Sequence, residues 1–165
     1  MTDGDFPEGI RIVNSVDGLA GVDTLEGRIG PVIHGETSQA HFIDMPAGMF
    51  CPEHPHATES LIHTVRGSWV LVSGGRRFVM RSGSIFWFGA DVSTGYEVPF
   101  DEDALILIFK GQRSMQSDEE FIEYLEGLKS RLEQRHADGE PFLIAELPLD
   151  HPCRDFARSL GAPLA

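Results

Sequence analysis

The sequence is short of cysteine, of basic residues and of long apolar runs, and each shortage excludes a class of protein. Two cysteines, Cys51 and Cys153, are too few for a disulfide framework. Lysine and arginine number 13 against 26 acidic residues, which gives a formal charge of −13. Nucleic-acid and anionic-membrane partners need a basic surface, so this charge argues against both. No apolar run approaches the roughly 20 residues that span a bilayer.

The length and the amino-terminal segment predict a single cytoplasmic domain. A chain of 165 residues, 41% of them apolar, is long enough to bury one core without covalent staples. Residues 1–13 are acidic and lack the apolar stretch of a signal peptide. We therefore expect a cytoplasmic protein in a reducing compartment.

Residues 38–110 are rich in β-forming residues and are divided by turn residues. The seven runs are AHFIDMPAG, ESLIHTVRG, SWVLVSGG, RRFVMRSGS, SIFWFGA, TGYEVPF and DALILIFKG. Short strands with no helix among them predict an antiparallel sandwich or barrel. Residues 1–37 are predicted to contain short amino-terminal strands, which form either a sheet edge or a swapped arm. We expect one domain with three parts, namely 1–37, a β core over 38–112 and a helical extension over 113–165.

The helical extension is predicted by a change of periodicity after residue 116. Ser117 and Glu120 have the spacing of a capping box. An apolar stripe at helical spacing follows, formed by Phe121, Leu125, Leu128 and Leu132. Such a stripe packs either on the β core or on a second subunit. A short second helix is predicted near Pro152.

Two segments of the chain resemble the motifs of the cupin superfamily. Residues 48–67, GMFCPEHPHATESLIHTVRG, resemble the first motif, and the matching residues are Gly48, His54, His56 and Gly67. Residues 83–98, GSIFWFGADVSTGYEV, resemble the second motif. The resemblance covers about 38–110 and implies a mainly β fold, an antiparallel jelly-roll barrel with its site in the interior.

The resemblance also implies a divalent metal ion, held by the two histidines, an acidic residue and a further histidine. In this sequence Ser60 stands at the acidic position and Thr94 at the last histidine position. Glu59 is one residue early, and regular strand alternation would turn it outward. A bulge or one extra residue after His56 would turn it inward. The predicted ligands are therefore His54, His56 and Glu59, for Zn, Fe, Ni or Mn.

Five further residues are candidates for the pocket, namely Cys51, Ser60, His63, Thr94 and Tyr96. Residues four apart on a strand stand about 13 Å apart, so His63 would replace Glu59 rather than join it. The alternative for His63 is a hydrogen-bonded residue on a partly buried face. The alternative for Cys51 is a small buried residue.

Two functions remain open from the sequence. The first is a metal-dependent enzyme that acts on a small organic substrate at His54 and His56. The second is a metal-free, non-catalytic ligand-binding or sensory cupin, which Ser60 and Thr94 favour. The direction of Glu59 distinguishes them. In both cases we expect a homodimer, because pairing covers an exposed sheet edge.

Overall fold

The computed structural model describes residues 9–112 and 115–163, and its ten strands form two antiparallel sheets. The strands are β1 Val22–Thr24, β2 Gly27–His34, β3 Gln39–Met45, β4 Phe50–Pro55, β5 Ser60–Arg66, β6 Ser68–Ser73, β7 Arg76–Arg81, β8 Ile85–Phe88, β9 Ser93–Glu97 and β10 Ala104–Lys110. One sheet has the order β1-β2-β3-β10-β5-β8 and the other the order β4-β9-β6-β7. All seven predicted runs are strands, and the antiparallel jelly-roll fold is confirmed.

The core lies between the two sheets, because each strand turns alternate residues inward. On β5, Ser60, Ile62 and Thr64 are buried, whereas Leu61 between them is exposed. Trp69 is fully buried, and its indole nitrogen donates a 2.9 Å hydrogen bond to Thr64 Oγ1. The one polar atom of this large side chain is therefore satisfied inside the core.

The strands β1 and β2 join the six-stranded sheet through the pairing of β2 with β3. They are connected by a two-residue turn, because Thr24 pairs with Gly27 across it. Gly27 has a φ of +100°, and a Cβ there would lie 2.7 Å from the Asp44 carbonyl oxygen. The turn therefore requires glycine at this position. Residues 1–8 of the predicted amino-terminal segment lie outside the described residues.

The helix α1, Asp118–Ala137, covers one side of the β core. Ser117 caps it, and its Oγ accepts from the Glu120 backbone nitrogen. The predicted stripe is buried at Phe121, Leu125 and Leu132, and the helix contacts β1 and β2. Phe121 and Leu125 belong to the main core cluster and Leu128 packs against it, so this part of the stripe packs on the β core.

The second helix, α2, spans Pro152–Ser159 and begins with the predicted proline. A short 3-10 turn over Ile144–Glu146 precedes it. Cys153 of α2 is buried in a second apolar cluster with Phe50, Ile144 and Leu147. In the part of the chain that the structure describes, no helix is long and apolar enough to cross a membrane.

Candidate functional site

A cavity of about 390 Å³ is bounded by strands of both sheets and by α1. Its apolar wall includes Ile43, Met45, Phe88, Ile108, Phe121 and Leu125. Polar side chains interrupt this wall at a few points, and most belong to histidine, hydroxyl or charged residues. A concave, mainly apolar space of this size with a few convergent polar groups is typical of a site for a small organic molecule.

A one-residue bulge in β4 determines which side chains reach the cavity. Cys51 pairs with Tyr96 and His54 pairs with Thr94, so two residues of β4 between these pairs oppose the single Gly95 of β9. The extra residue brings Cys51 and His54 to the same side of the strand, although regular alternation would separate them. Gly95 lies opposite the bulge, and a Cβ there would be 2.8 Å from the Cys51 carbonyl oxygen. The bulge thus requires glycine on its partner strand.

His54 and His56 face the cavity together, as their spacing predicted. Their ring centroids are 4.6 Å apart. His56 also packs against Phe88 at 4.8 Å, and its Nε2 lies 2.8 Å from Thr94 Oγ1. The nitrogen that would face a metal ion is therefore hydrogen-bonded to the residue that replaces the last family histidine.

The pKa of His56 is lowered to about 4, first by burial and then by electrostatic interaction with His54 and Lys110. The hydrogen bond with Thr94 opposes this shift only in part. His56 is consequently neutral at neutral pH, and it offers hydrogen bonds rather than charge.

Glu59 lies outside the cavity that His54 and His56 line. Its carboxylate accepts a 2.9 Å hydrogen bond from Trp87 Nε1 on the outer surface. The next residue, Ser60, is only 2% exposed and lines the cavity. A bulge or an extra residue after His56 would have turned Glu59 inward, but the bulge of β4 lies before His54. Glu59 therefore does not face the histidine pair.

Lys110, the last residue of β10, brings an ammonium group into the cavity. Its Nζ donates to Thr58 Oγ1 at 3.0 Å and to Ser60 Oγ at 3.2 Å. Within residues 9–112 and 115–163, no carboxylate forms an ion pair with it. Burial lowers the pKa of Lys110. A partly buried cation balanced by hydroxyl groups alone attracts an anion.

The sequence reasoning did not identify Lys110 as a site residue. The available signal was a lysine at the end of the otherwise apolar run ALILIF. That signal is weak, because a lysine at a strand end usually extends into solvent. The contacts with Thr58 and Ser60 join residues some 50 positions away along the chain, and they become visible only once β10 pairs with β5.

The other predicted pocket residues are divided between the cavity and the outer surface. Cys51 and Tyr96 line the cavity, and Thr94 contacts both His56 and the Tyr96 hydroxyl. Burial raises the pKa of the Tyr96 hydroxyl. His63 is not among the residues of the cavity wall, since it shares the outer face of β5 with the exposed Leu61.

His41 lines the same cavity, and its Nδ1 has no hydrogen-bond partner among the described residues. The ring is buried at 5.4 Å from Phe121. Burial, followed by the charges of Lys110 and His34, lowers the pKa of His41 to about 3. A buried polar atom without a partner is uncommon, and a cavity for a ligand explains it.

The residues of the cavity do not reproduce the metal site that the cupin resemblance implies. Ser60 and Thr94 replace two ligands, and Glu59 lies on the other side of the strand. The positive charge of Lys110 is close enough to lower the pKa of His56. A divalent ion on the histidine pair would be repelled by that charge and would have no anionic ligand from these positions.

Comparison with known proteins gives a family and a fold. Residues 37–150 match the family model of the AraC-like ligand binding domain. The cupin domain of Cnp3 from Schizosaccharomyces pombe is similar in structure, with 14% identity over 61% of this chain and 68% of that chain and a TM-score of 0.53. An RmlC-like cupin protein from Desulfovibrio desulfuricans has 17% identity over 62% of this chain and 96% of that chain, with a TM-score of 0.51. No curated protein matches the sequence.

Proposed function

The chain belongs to the family of AraC-like ligand-binding domains, and from this premise we propose that its cavity binds a small organic anion through Lys110 rather than through a metal ion on the histidine pair, and without catalysis. The observation that carries this proposal is the ammonium group of Lys110, which lies in the cavity with hydroxyl partners only. Lys110 stands beside Ser60, and Ser60 is the residue at the position of the family's acidic metal ligand. We infer that this protein cation, rather than an ion on the histidine pair, holds the ligand.

The surroundings of Lys110 suit a carboxylate. An ammonium group has three donors, and the contacts with Thr58 and Ser60 use two of them. The third donor remains for the ligand, and either hydroxyl group can donate to a second carboxylate oxygen. Hydrogen bonds between ionised partners are shorter and stronger than those between neutral groups.

The remaining wall suits an apolar body of limited size. Phe88, Phe121 and Leu125 line the cavity, whose volume is about 390 Å³. His56 is neutral, and the unpartnered Nδ1 of His41 offers one directional hydrogen bond to a ligand hydroxyl or carbonyl group. The proposed ligand is therefore a small aromatic or aliphatic acid.

The test compares acids with their neutral amides by isothermal titration calorimetry. The probes are benzoate, phenylacetate and hexanoate with the corresponding amides. We expect at least one acid to bind about 10- to 100-fold more tightly than its amide, the range for a hydrogen bond to a charged group. Lys110→Met should remove this preference, whereas Lys129→Met, on the surface of α1, should retain it. Equal binding of acid and amide, or no binding of any acid, would contradict the proposal.

A metal-dependent function is the second candidate, favoured by the 4.6 Å separation of the His54 and His56 rings. Its test is elemental analysis of protein purified without a tag, beside the His56→Ala variant. A stoichiometric transition metal that is lost in His56→Ala would support this candidate over the metal-free proposal.

We also propose that the chain forms a homodimer through the outer face next to β8. β8 is the last strand of the six-stranded sheet. Leu61, Trp87 and Phe109 are cross-strand neighbours on this face, and each is more than 40% exposed. In a chain with a charge of −13, an apolar face is where a second copy can approach without repulsion. Sedimentation should give about twice the monomer mass, and Trp87→Glu should reduce it to that of the monomer.

A further inference from the structure

Glu26, Cys51 and His54 bring three different metal-binding groups together at one end of the cavity. One ligand atom from each lies within 4.8 Å of the other two, and all three residues line the cavity. Glu26 comes from the turn between β1 and β2, whereas Cys51 and His54 come from β4 of the other sheet. The cluster is therefore assembled by the packing of the two sheets and by the β4 bulge.

The separation of the sulfur and nitrogen atoms is close to that of a metal site. Cys51 Sγ lies 3.8 Å from His54 Nδ1. Tetrahedral zinc, with bonds of about 2.3 Å to sulfur and about 2.0 Å to nitrogen, holds these atoms about 3.6 Å apart. The pair therefore needs little movement to bind one ion.

The contact of His54 with the backbone is compatible with ion binding through either ring nitrogen. Nδ1 lies 3.1 Å from the Pro52 carbonyl oxygen, which can only accept, so Nδ1 carries the proton of this hydrogen bond. Binding through Nε2 would keep that bond as the outer contact that typically orients a ligating histidine. Binding through Nδ1 would exchange the hydrogen bond for the metal bond.

Charge distinguishes this cluster from the histidine pair. If Cys51 releases its proton to solvent as the ion binds, its thiolate and the Glu26 carboxylate together neutralise a divalent cation, which removes most of the cost of placing it in a partly apolar cavity. An ion held by His54 and His56 alone would have no anionic ligand, so its two positive charges would stand uncompensated in the cavity that Lys110 also lines. Thiolate and imidazole ligands favour zinc and similar borderline metals over magnesium or calcium.

We propose that Glu26, Cys51 and His54 bind a borderline divalent cation such as Zn²⁺, and that His56 is not part of this site. The inference is independent of the proposed anion binding, because it uses none of Thr58, Ser60 or Lys110. The open coordination position would face the cavity.

The test is a titration of Co²⁺ into the full chain, followed by absorption spectroscopy. Cobalt occupies zinc-type sites, and a thiolate ligand gives it an intense near-ultraviolet charge-transfer band. We expect this band to saturate at one equivalent and to disappear on addition of Zn²⁺. Cys51→Ser should abolish it, while Cys153→Ser, the matched control outside the cavity, should leave it unchanged.

Three further variants separate this site from the alternatives. Glu26→Gln should weaken Co²⁺ binding by at least about tenfold, since even partners outside the metal ligands contribute 10- to 100-fold. His56→Gln and Lys110→Met should change it less than about threefold. Circular dichroism will show whether Cys51→Ser folds. If it does not fold, Glu26→Gln still tests the site.

Two results would overturn the inference. One is a folded wild-type protein that shows no thiolate band at saturating Co²⁺. The other is a loss of Co²⁺ affinity in His56→Gln with no loss in Glu26→Gln, which would place the ion on the histidine pair. Failure of the anion titration, by contrast, would leave the cobalt result unaffected.

Discussion

Arg77 and Lys110 are two cations withdrawn from water, and their surroundings differ in a way that separates structure from function. Arg77 donates through Nε and Nη2 to both carboxylate oxygens of Glu97, which is only 1% exposed. Lys110 contacts the hydroxyl groups of Thr58 and Ser60 and no carboxylate of the described chain. A buried charge with a complete partner set stabilises one conformation, whereas an incompletely paired charge at a cavity is suited to a ligand.

The two environments are separated by a single strand. On β9, Tyr96 lines the cavity, while Glu97 next to it accepts from Arg77 of β7 on the other side. Burial, followed by the negative charge of Glu97, raises the pKa of the Cys153 thiol in α2. Cys153 is therefore a protonated packing residue, and the alternation of β9 keeps this structural cluster apart from the cavity.

The largest expected effect comes from breaking the complete pair. Glu97→Gln leaves Arg77 as an uncompensated buried charge, and we expect a loss of about 3–5 kcal/mol in the free energy of unfolding. Chemical denaturation measures this loss. Lys110→Met is the comparison, and its unfolding free energy should change by less than about 1.5 kcal/mol, because it removes a charge that has no carboxylate partner. A larger loss in Lys110→Met than in Glu97→Gln would reverse the roles assigned to these cations.

The next effect, smaller for each single pH unit, concerns the pH dependence of stability and reports on the positive charge of Lys110. Because burial lowers the pKa of His41 from 6.5 to about 3, the unfolded chain binds more protons than the folded chain between these values. The contribution of His41 to stability is thus complete above pH 6.5 and is lost as the pH falls toward 3, with a slope of up to about 1.4 kcal/mol per pH unit. Denaturation at a series of pH values measures the slope.

Two variants sharpen this pH prediction. His41→Gln should remove the slope that His41 causes. Lys110→Met should raise the lower limit of the pH range over which His41 affects stability, because loss of the nearby positive charge lets the pKa of His41 rise. An unchanged profile in Lys110→Met would show that the ammonium group does not act on the cavity histidines.

The smallest effect is expected for the neighbours Glu59 and Ser60. Glu59→Gln changes an exposed side chain, so stability should stay within about 0.5 kcal/mol and affinity for acids or Co²⁺ should not change. Ser60→Ala, one residue along, removes a hydroxyl contact of Lys110 and should weaken the binding of acids by about three- to tenfold. Equal effects of the two variants would contradict the opposite directions of these side chains.

The strands and α1 could be predicted because their signals are local. Turn residues divide the β runs, and Ser117 marks the start of the helix. The direction of Glu59 could not be predicted, because it depends on the position of a bulge, and the bulge lies between Cys51 and His54 rather than after His56. Glu26 was missed for a related reason, since it meets Cys51 only when the two sheets pack together.

The β4 bulge means that the chemistry of the cavity depends on the register of one strand pair as well as on its composition. Regular pairing of the same residues of β4 and β9, without the bulge, would place Cys51 and His54 on opposite sides of the strand. The cavity would then present either the thiol or the imidazole, although every residue kept its identity. A change of register at this point, with no change in any ligand residue, is thus a route by which this fold could exchange one ligand chemistry for another.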